Sequence, residues 1–297
     1  LSFTHRISFD DYLLSMAKEA GAVVLEGDGI LQLDTHAKSC TLRSGKTLSY
    51  TYLIGADGVN SIVAKTLFGS SFDKDTIGFA LEVEVDRTTM NREVTVPEVY
   101  FDSVKWGYGW VFPKEKTLTV GVGGIHKLNP EMKDDMKRFH AEVTGNAPLG
   151  KVKGHYIPFG DYRKTPGKGN VLLAGDAAGF VEAISGEGIA YAMQSGYLAA
   201  LAIRDNIQSG NQSQKVLSIY CKKIRTIQRD IRYSKRMRYL LFPKHTQKLF
   251  LRVFPATGNL VHKQLDLMAD EISYPEFLRF LFGKITGRVF GKLVGRK

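Results

Sequence analysis

The sequence has few cysteines, no long apolar runs and, over its last third, few acidic residues. Its two cysteines, Cys40 and Cys221, stand far apart and in no C-x-x-C or neighbouring-histidine spacing. That excludes a disulfide framework and a structural zinc site, so no metal is expected, and it fits a reducing, cytoplasmic compartment. No stretch approaches the roughly 18 apolar residues of a spanning helix. Hydrophobic residues make up 43%, charged residues 24%, and mean hydropathy is -0.15, values that disfavour both disorder and a polytopic membrane protein. At about 150 residues per domain, 297 residues allow two domains with a sizeable core.

The scarcity of acid is local. Residues 1–203 hold 21 Lys and Arg against 24 Asp and Glu, whereas residues 204–297 hold 20 against 6. The whole net charge of +11 therefore comes from the last third. No zinc-finger, RNA-recognition or helix-turn-helix pattern accompanies it, so the expected partner is an anionic membrane surface and not a nucleic acid.

Periodicity orders the rest. Ser8 and Asp11 read as a capping box for a helix over residues 9–20, with Phe9, Leu13, Leu14, Met16 and Ala17 as its apolar face and Gly21 as its stop. Strand patterns follow at Ala22–Glu26, Ile30–Leu33, Ser39–Leu42 and Thr47–Ile54. From residue 77 to 128 the period is two, over Phe79–Val85, Val94–Phe101, Gly107–Pro113 and Thr117–Gly123, which predicts an inserted antiparallel sheet. A polar helix over 130–144, a strand over 154–159, an apolar strand Asn170–Ala174 and a helix Ile189–Ile203 that is apolar nearly all round, hence buried, complete the pattern.

Two strand-to-helix turns carry the chemistry. Val171-Leu172-Leu173-Ala174 delivers Gly175 and Asp176 beside Ala177, Ala178 and Gly179, residues too small to block a flat ligand, and a carboxylate there accepts hydrogen bonds from sugar hydroxyls. Gly186, Glu187, Gly188 and Ile189 then open a helix whose free N–H groups favour a negative group. The other turn, Leu53-Ile54-Gly55-Ala56-Asp57-Gly58, ends a buried strand. Each alone is most often only a turn.

Together, in this order, the two turns resemble the Asp-Gly and Gly-Asp fingerprints of the para-hydroxybenzoate hydroxylase superfamily of FAD-dependent oxidoreductases. Within it the chain resembles the geranylgeranyl reductase family, whose Y-x-W-x-F-P stretch is followed seven residues later by G-x-G. Here the stretch is Tyr108-Gly109-Trp110-Val111-Phe112-Pro113, then seven residues, then Gly121-Val122-Gly123. The resemblance covers about residues 3–205. It implies an α/β (α+β) fold: an FAD/NAD(P)-binding Rossmann-like domain split over 1–76 and 159–207, an antiparallel-sheet substrate domain over 77–158, and a basic helical region over 208–297.

The resemblance also implies roles. Arg6, Asp57, Gly58, Gly175, Asp176, Ala177, Gly186, Glu187, Gly188 and Ile189 would hold FAD, with NAD(P)H or another donor as reductant. Tyr108, Trp110 and Phe112, which share one strand face, would line a tunnel for an isoprenoid or polyprenyl chain; read without the family, that face is more simply a half-buried core. No proton donor is assigned. Two departures stand out: Ala183 replaces a proline that the family carries before the Gly-Glu-Gly turn, and the family's opening G-x-G-x-x-G strand-turn-helix is missing. The chain is therefore expected to be a piece of a longer reductase, or else to bind FAD poorly or not at all. The alternatives are an FAD-dependent hydroxylase or halogenase, the latter disfavoured because halogenases carry W-x-W-x-I-P, and a non-catalytic lipid-binding remnant.

Residues 276–297 repeat Lys284, Arg288, Lys292 and Arg296 at four-residue spacing beside an apolar stripe. This basic amphipathic segment is expected to dock peripherally on the inner face of a membrane, or to pack on its own domain.

Overall fold

The computed structural model describes residues 6–90, 92–210, 215–253, 258–268, 271–281 and 283. Helix α1 (Arg6–Glu19) leads into a ribbon of β1 (Ile30–Asp34), β2 (Ser39–Leu42) and β3 (Thr47–Ser49), paired in that order. Strand β4 (Leu53–Gly55) and helix α2 (Ile62–Phe68) follow. Next come β5 (Gly78–Asp86), β6 (Glu98–Phe101), β7 (Gly107–Pro113), β8 (Thr117–Ile125), α3 (Met132–Thr144) and β9 (Lys153–Ile157). The chain then returns through β10 (Gly167–Lys168) and β11 (Val171–Leu173) to α4 (Ile189–Gln208), α5 (Val216–Lys223), α6 (Arg225–Leu241), α7 (Lys244–Val253) and α8 (Gly258–Met268).

The inserted strands form one antiparallel sheet of order β6-β7-β8-β5-β9. From Leu81 to Asp86 of β5 the period is two: Leu81, Val83 and Val85 are buried, while Glu82, Glu84 and Asp86 face water. The buried side meets Met132, Met136, Phe139 and Val143 of α3, which recur at helical spacing. On the other face, Trp110 lies flat across β8. The register pairs Trp110 with Gly121 and Tyr108 with Gly123, and a Cβ at Gly121 would come within 2.3 Å of the indole. The G-x-G after Y-x-W-x-F-P is thus the floor on which the tryptophan rests.

Several expectations need correction. Helix α1 already includes Arg6 and Ile7, so Ser8 lies inside it and the Ser8–Asp11 capping box does not form. Its apolar face is only half-buried, and Met16 is exposed. Ala22–Glu26 is not a strand, and Val23 is 89% exposed. Thr47–Ile54 is two strands in two sheets, because Tyr50–Tyr52 turns the chain from the ribbon into β4. Helix α4 runs to Gln208 and is not buried all round. It turns the small or polar Ser195, Ala199, Ala202 and Asn206 inward at i, i+4, i+7 and i+11, which lets it pack closely, and leaves Ile189, Met193, Tyr197 and Ile207 exposed. Helical structure covers residues 274–281, but most of the basic segment 276–297 lies outside the described residues.

Two glycines measure these constraints. A Cβ at Gly107 would sit 1.9 Å from the Gly123 carbonyl oxygen, whereas one at Gly196, inside α4, meets nothing within 4 Å. In denaturant melts Gly107→Ala should cost about 3 kcal/mol or more, as expected for a clash with backbone. Gly196→Ala should add about 0.8–1 kcal/mol through helix propensity.

Candidate functional site

The site is built where two distant strands meet. Strand β11 pairs parallel with β4, aligning Leu173 with Gly55, so the turns after both strands emerge at the same carboxyl edge. In open α/β sheets that edge is where ligands bind. Gly55 permits the pairing, since a Cβ there would come within 2.9 Å of both Val63 and Leu173.

After β4, Asp57 turns inward on its own helix. Its carboxylate accepts from Ser61 Oγ at 2.6 Å and from the Val63 N–H at 3.2 Å, while Ser61 caps α2 by accepting from Ala64 N–H at 2.8 Å. Gly58 takes φ +75° beside it, with open space around its Cα. Both positions line the edge, and Asp57 is already committed to shaping the turn.

After β11, Gly175–Ala178 makes a single 3-10 turn, with Ala177 fully buried. Gly175 adopts φ +56°, and its N–H donates to Ser195 Oγ of α4 at 2.9 Å, which locks this turn against the helix. Gly188, the N-cap of α4, lies so close that a Cβ there would be 3.4 Å from Asp176 Oδ1. Glu187 reaches forward to accept from the Ala190 N–H at 2.8 Å, and Ile189 opens the helix with its side chain exposed.

Asp176 is half-buried, and among the described residues no group donates a hydrogen bond to its carboxylate. Burial pushes its carboxyl above the usual carboxylate range, opposed only by the more distant charges of His155 and Arg6. Arg6 itself is bound to Asp10 at 2.9–3.0 Å and stays largely exposed, near Asp176 electrostatically but not in contact. A carboxylate with free acceptor capacity, set among glycines and beside a helix N-terminus, fits the hydroxyls and phosphate-bearing chain of a dinucleotide.

The sheet supplies the second half of the site. Tyr108, Trp110 and Phe112 are half-buried on one face of β7, with adjacent rings about 6 Å apart. The alternate residues Gly107, Gly109 and Val111 lie on the α3 side, so the aromatic face is opposite the α3 core of the insertion, and Tyr108 on it also packs against the cluster of Ile125, Phe159, Leu241 and Phe242. The Tyr108 hydroxyl donates to the Ser185 carbonyl, just before the Gly186 turn. Burial, reinforced by the charge of Glu182, pushes that phenol well up, so it keeps its proton.

Glu182 is a junction that local sequence patterns do not reveal. Only 6% exposed, it accepts from Ile184 N–H at 2.8 Å, from Ser185 Oγ at 2.7 Å and from Tyr274 Oη at 2.6 Å. Tyr274 comes from the helical segment 92 residues further on, and burial beside Glu182 raises its phenol strongly. The departure at Ala183 also has a role: its N–H donates to Ser234 Oγ of α6 at 3.1 Å, a bond that a proline could not make. Among the described residues no cluster of three or more His, Cys, Asp and Glu is placed to hold a metal ion.

The chain belongs to the FAD-binding domain family, whose pattern matches residues 8–232. Among proteins of that flavin-dependent oxidoreductase family it is similar to geranylgeranyl reductases. It is 30% identical over 304 residues to the chloroplastic geranylgeranyl diphosphate reductase of Arabidopsis thaliana, covering 94% of this chain and 62% of that one. It is 33% identical over 264 residues to an uncharacterized protein of Methanosarcina barkeri, covering 88% and 64%. The chain thus spans less than two thirds of either relative. A geranylgeranyl bacteriochlorophyll reductase-like protein of Thermoplasma acidophilum shares the fold, with a TM-score of 0.73 at 23% identity over 82% of this chain and 66% of that one. The fold is the mixed α/β architecture expected, with a flavin-binding domain, antiparallel sheets and a helical C-terminal region.

Asp176 and Tyr274 give separable tests. The raised carboxyl of Asp176 stabilises the fold only at low pH, and this contribution is lost as pH rises through its folded-state value. Asp176→Asn should therefore raise the apo-protein melting temperature at pH 7, with the gain vanishing below about pH 4, the ordinary aspartate value. The same change should lower flavin retention, and an unchanged flavin content would remove Asp176 from the site. Tyr274→Phe leaves Glu182 short of a donor and should cost about 1–3 kcal/mol in a denaturant melt. It should also broaden the bound-flavin absorption bands by loosening the 182–188 turn.

Proposed function

We propose that this chain forms the main part of an FAD-dependent reductase that saturates carbon–carbon double bonds of a geranylgeranyl or other polyprenyl lipid, working against an anionic membrane surface. The observation that supports this most is the aromatic wall of Tyr108, Trp110 and Phe112, half-open on its glycine floor and tied by Tyr108 to the turn beside Asp176. An apolar wall with few polar groups suits a long isoprenoid chain, and the relative from Arabidopsis thaliana is named for geranylgeranyl diphosphate.

Asp176 would accept hydroxyls of the cofactor's sugar chain, and Gly186–Ile189 would present the N–H groups of the α4 N-terminus to its negative end. Held there and reduced by NAD(P)H or another donor, FAD would supply hydride chemistry toward an alkene carbon, and a proton from an acid would complete the saturation. The wall would hold the alkene and exclude water. Tyr108, keeping its proton, fixes the distance between wall and turn.

Trp110→Ala should reduce turnover of long prenyl substrates by at least an order of magnitude while leaving flavin content near that of the parent, since it removes the largest wall group and none of the cofactor turns. Loss of flavin or of the fold in this variant would make Trp110 a core residue. Anaerobic assays with prenyl lipid and NADPH separate the reductase from an oxygen-using hydroxylase, and a flavin-free absorption spectrum of the purified protein would favour a non-catalytic lipid binder.

A further inference from the structure

Helix α6 has two opposed faces. Ile227, Ile231, Ser234, Met237, Arg238 and Leu241 are buried. On the other side Arg225, Arg229, Arg232 and Arg236 recur at i, i+4, i+7 and i+11, and the line continues into Tyr239 and Leu240, which are 56% and 39% exposed. At 1.5 Å per residue the stripe from Arg225 to Tyr239 is about 21 Å long. Residues 222–248 contain ten Lys and Arg and one acid, Asp230, which pairs with Arg229. Lys223 and Lys235 also have carboxylate partners, but among the described residues Arg225, Arg232, Arg236, Lys244 and Lys248 have none. The Tyr239 ring meets Trp106 edge-on at 5.0 Å, and Trp106 clusters with Phe101, Tyr108 and Phe242. The stripe therefore ends at the aromatic wall of the site.

From this arrangement we infer that the α6 stripe, and not only the basic C-terminal segment, docks the protein on an anionic lipid bilayer, with Tyr239 and Leu240 entering the interface where a prenyl chain would pass toward Trp106 and Tyr108. A row of arginines complements lipid phosphates, and the aromatic and aliphatic pair at its end suits the headgroup boundary better than a purely polar anion. The inference rests on the isoprenoid-lipid reading for its purpose, but not for its test.

Cosedimentation of the full chain with vesicles of equal parts phosphatidylcholine and phosphatidylglycerol measures it directly. Arg232→Gln with Arg236→Gln should weaken binding about thirtyfold at 0.1 M salt, at roughly tenfold per 1.4 kcal/mol and about 1 kcal/mol per charge. Thermal stability and flavin content should not change. Arg232→Lys with Arg236→Lys, which keeps the charge, should bind like the parent. Lys74→Gln with Lys133→Gln, an equal loss of charge off the stripe, should weaken binding only a fewfold. Tyr239→Ala should shorten residence on the vesicles with little effect on salt dependence. Equal binding by the glutamine and parent proteins, or equal losses from the stripe and off-stripe pairs, would overturn the inference. So would tight, stripe-dependent binding to a structured RNA with no binding to vesicles. Docking without prenyl reduction would overturn the proposed substrate and leave the docking face standing.

Discussion

The parallel pairing of β11 on β4 is the constraint from which the rest of the structure follows. It spans three residues on each strand and joins segments more than a hundred residues apart. Loop closure over such a separation carries an entropic cost that so short a backbone pairing does not offset alone. The surroundings supply the remainder. Val171, Leu172 and Leu173 are almost completely buried among Val63, Leu67, Ala199, Ala202 and Tyr220, and the Tyr220 hydroxyl donates to the Leu173 carbonyl at 2.8 Å. The inserted sheet can thus be large because its two ends are fixed on one apolar seam, and that seam delivers both turns to one edge.

The second constraint is shape. Flat binding surfaces need side chains that lie down, and a tryptophan lies down only over residues without a Cβ. Gly121 and Gly123 provide that under Trp110, and Gly109 provides it for Phe139 of α3 on the opposite face. One strand pair therefore carries a packed core on one side and an open aromatic wall on the other. Tyr108 then converts sheet geometry into site geometry, because its bond to Ser185 sets the height of the wall relative to the Gly186 turn.

What could be read from the sequence followed the range of the interactions. The alternation in β5, β7 and β8 and the two turn motifs are local, and they located the sheet, the Asp176 turn and the wall. The splitting of Thr47–Ile54 was not readable, because both halves have strand character and only their partners differ. The inward face of α4 was hidden for a similar reason: apolar residues nearly all round the helix gave no preferred face, and the close approach that selects Ser195, Ala199 and Ala202 depends on the sheet beneath. The bond from Tyr274 to Glu182 crosses 92 residues and has no periodic signature at all.

That bond also changes what the C-terminal region is. Read by charge alone, the last third is a basic appendage for a surface. In the fold it also supports the site, since Ser234 holds the Ala183 N–H, Arg238 holds the Phe159 carbonyl at 2.8 Å, and Tyr274 holds Glu182. These contacts sit on the buried side of α6 and on the helical segment 274–281 beyond α8, while the arginine stripe occupies the opposite side of α6. Under the proposed docking, a rigid helix with one face against the 182–188 turn and the other toward an anionic surface would fix the orientation of the candidate site relative to that surface, with no linker between them.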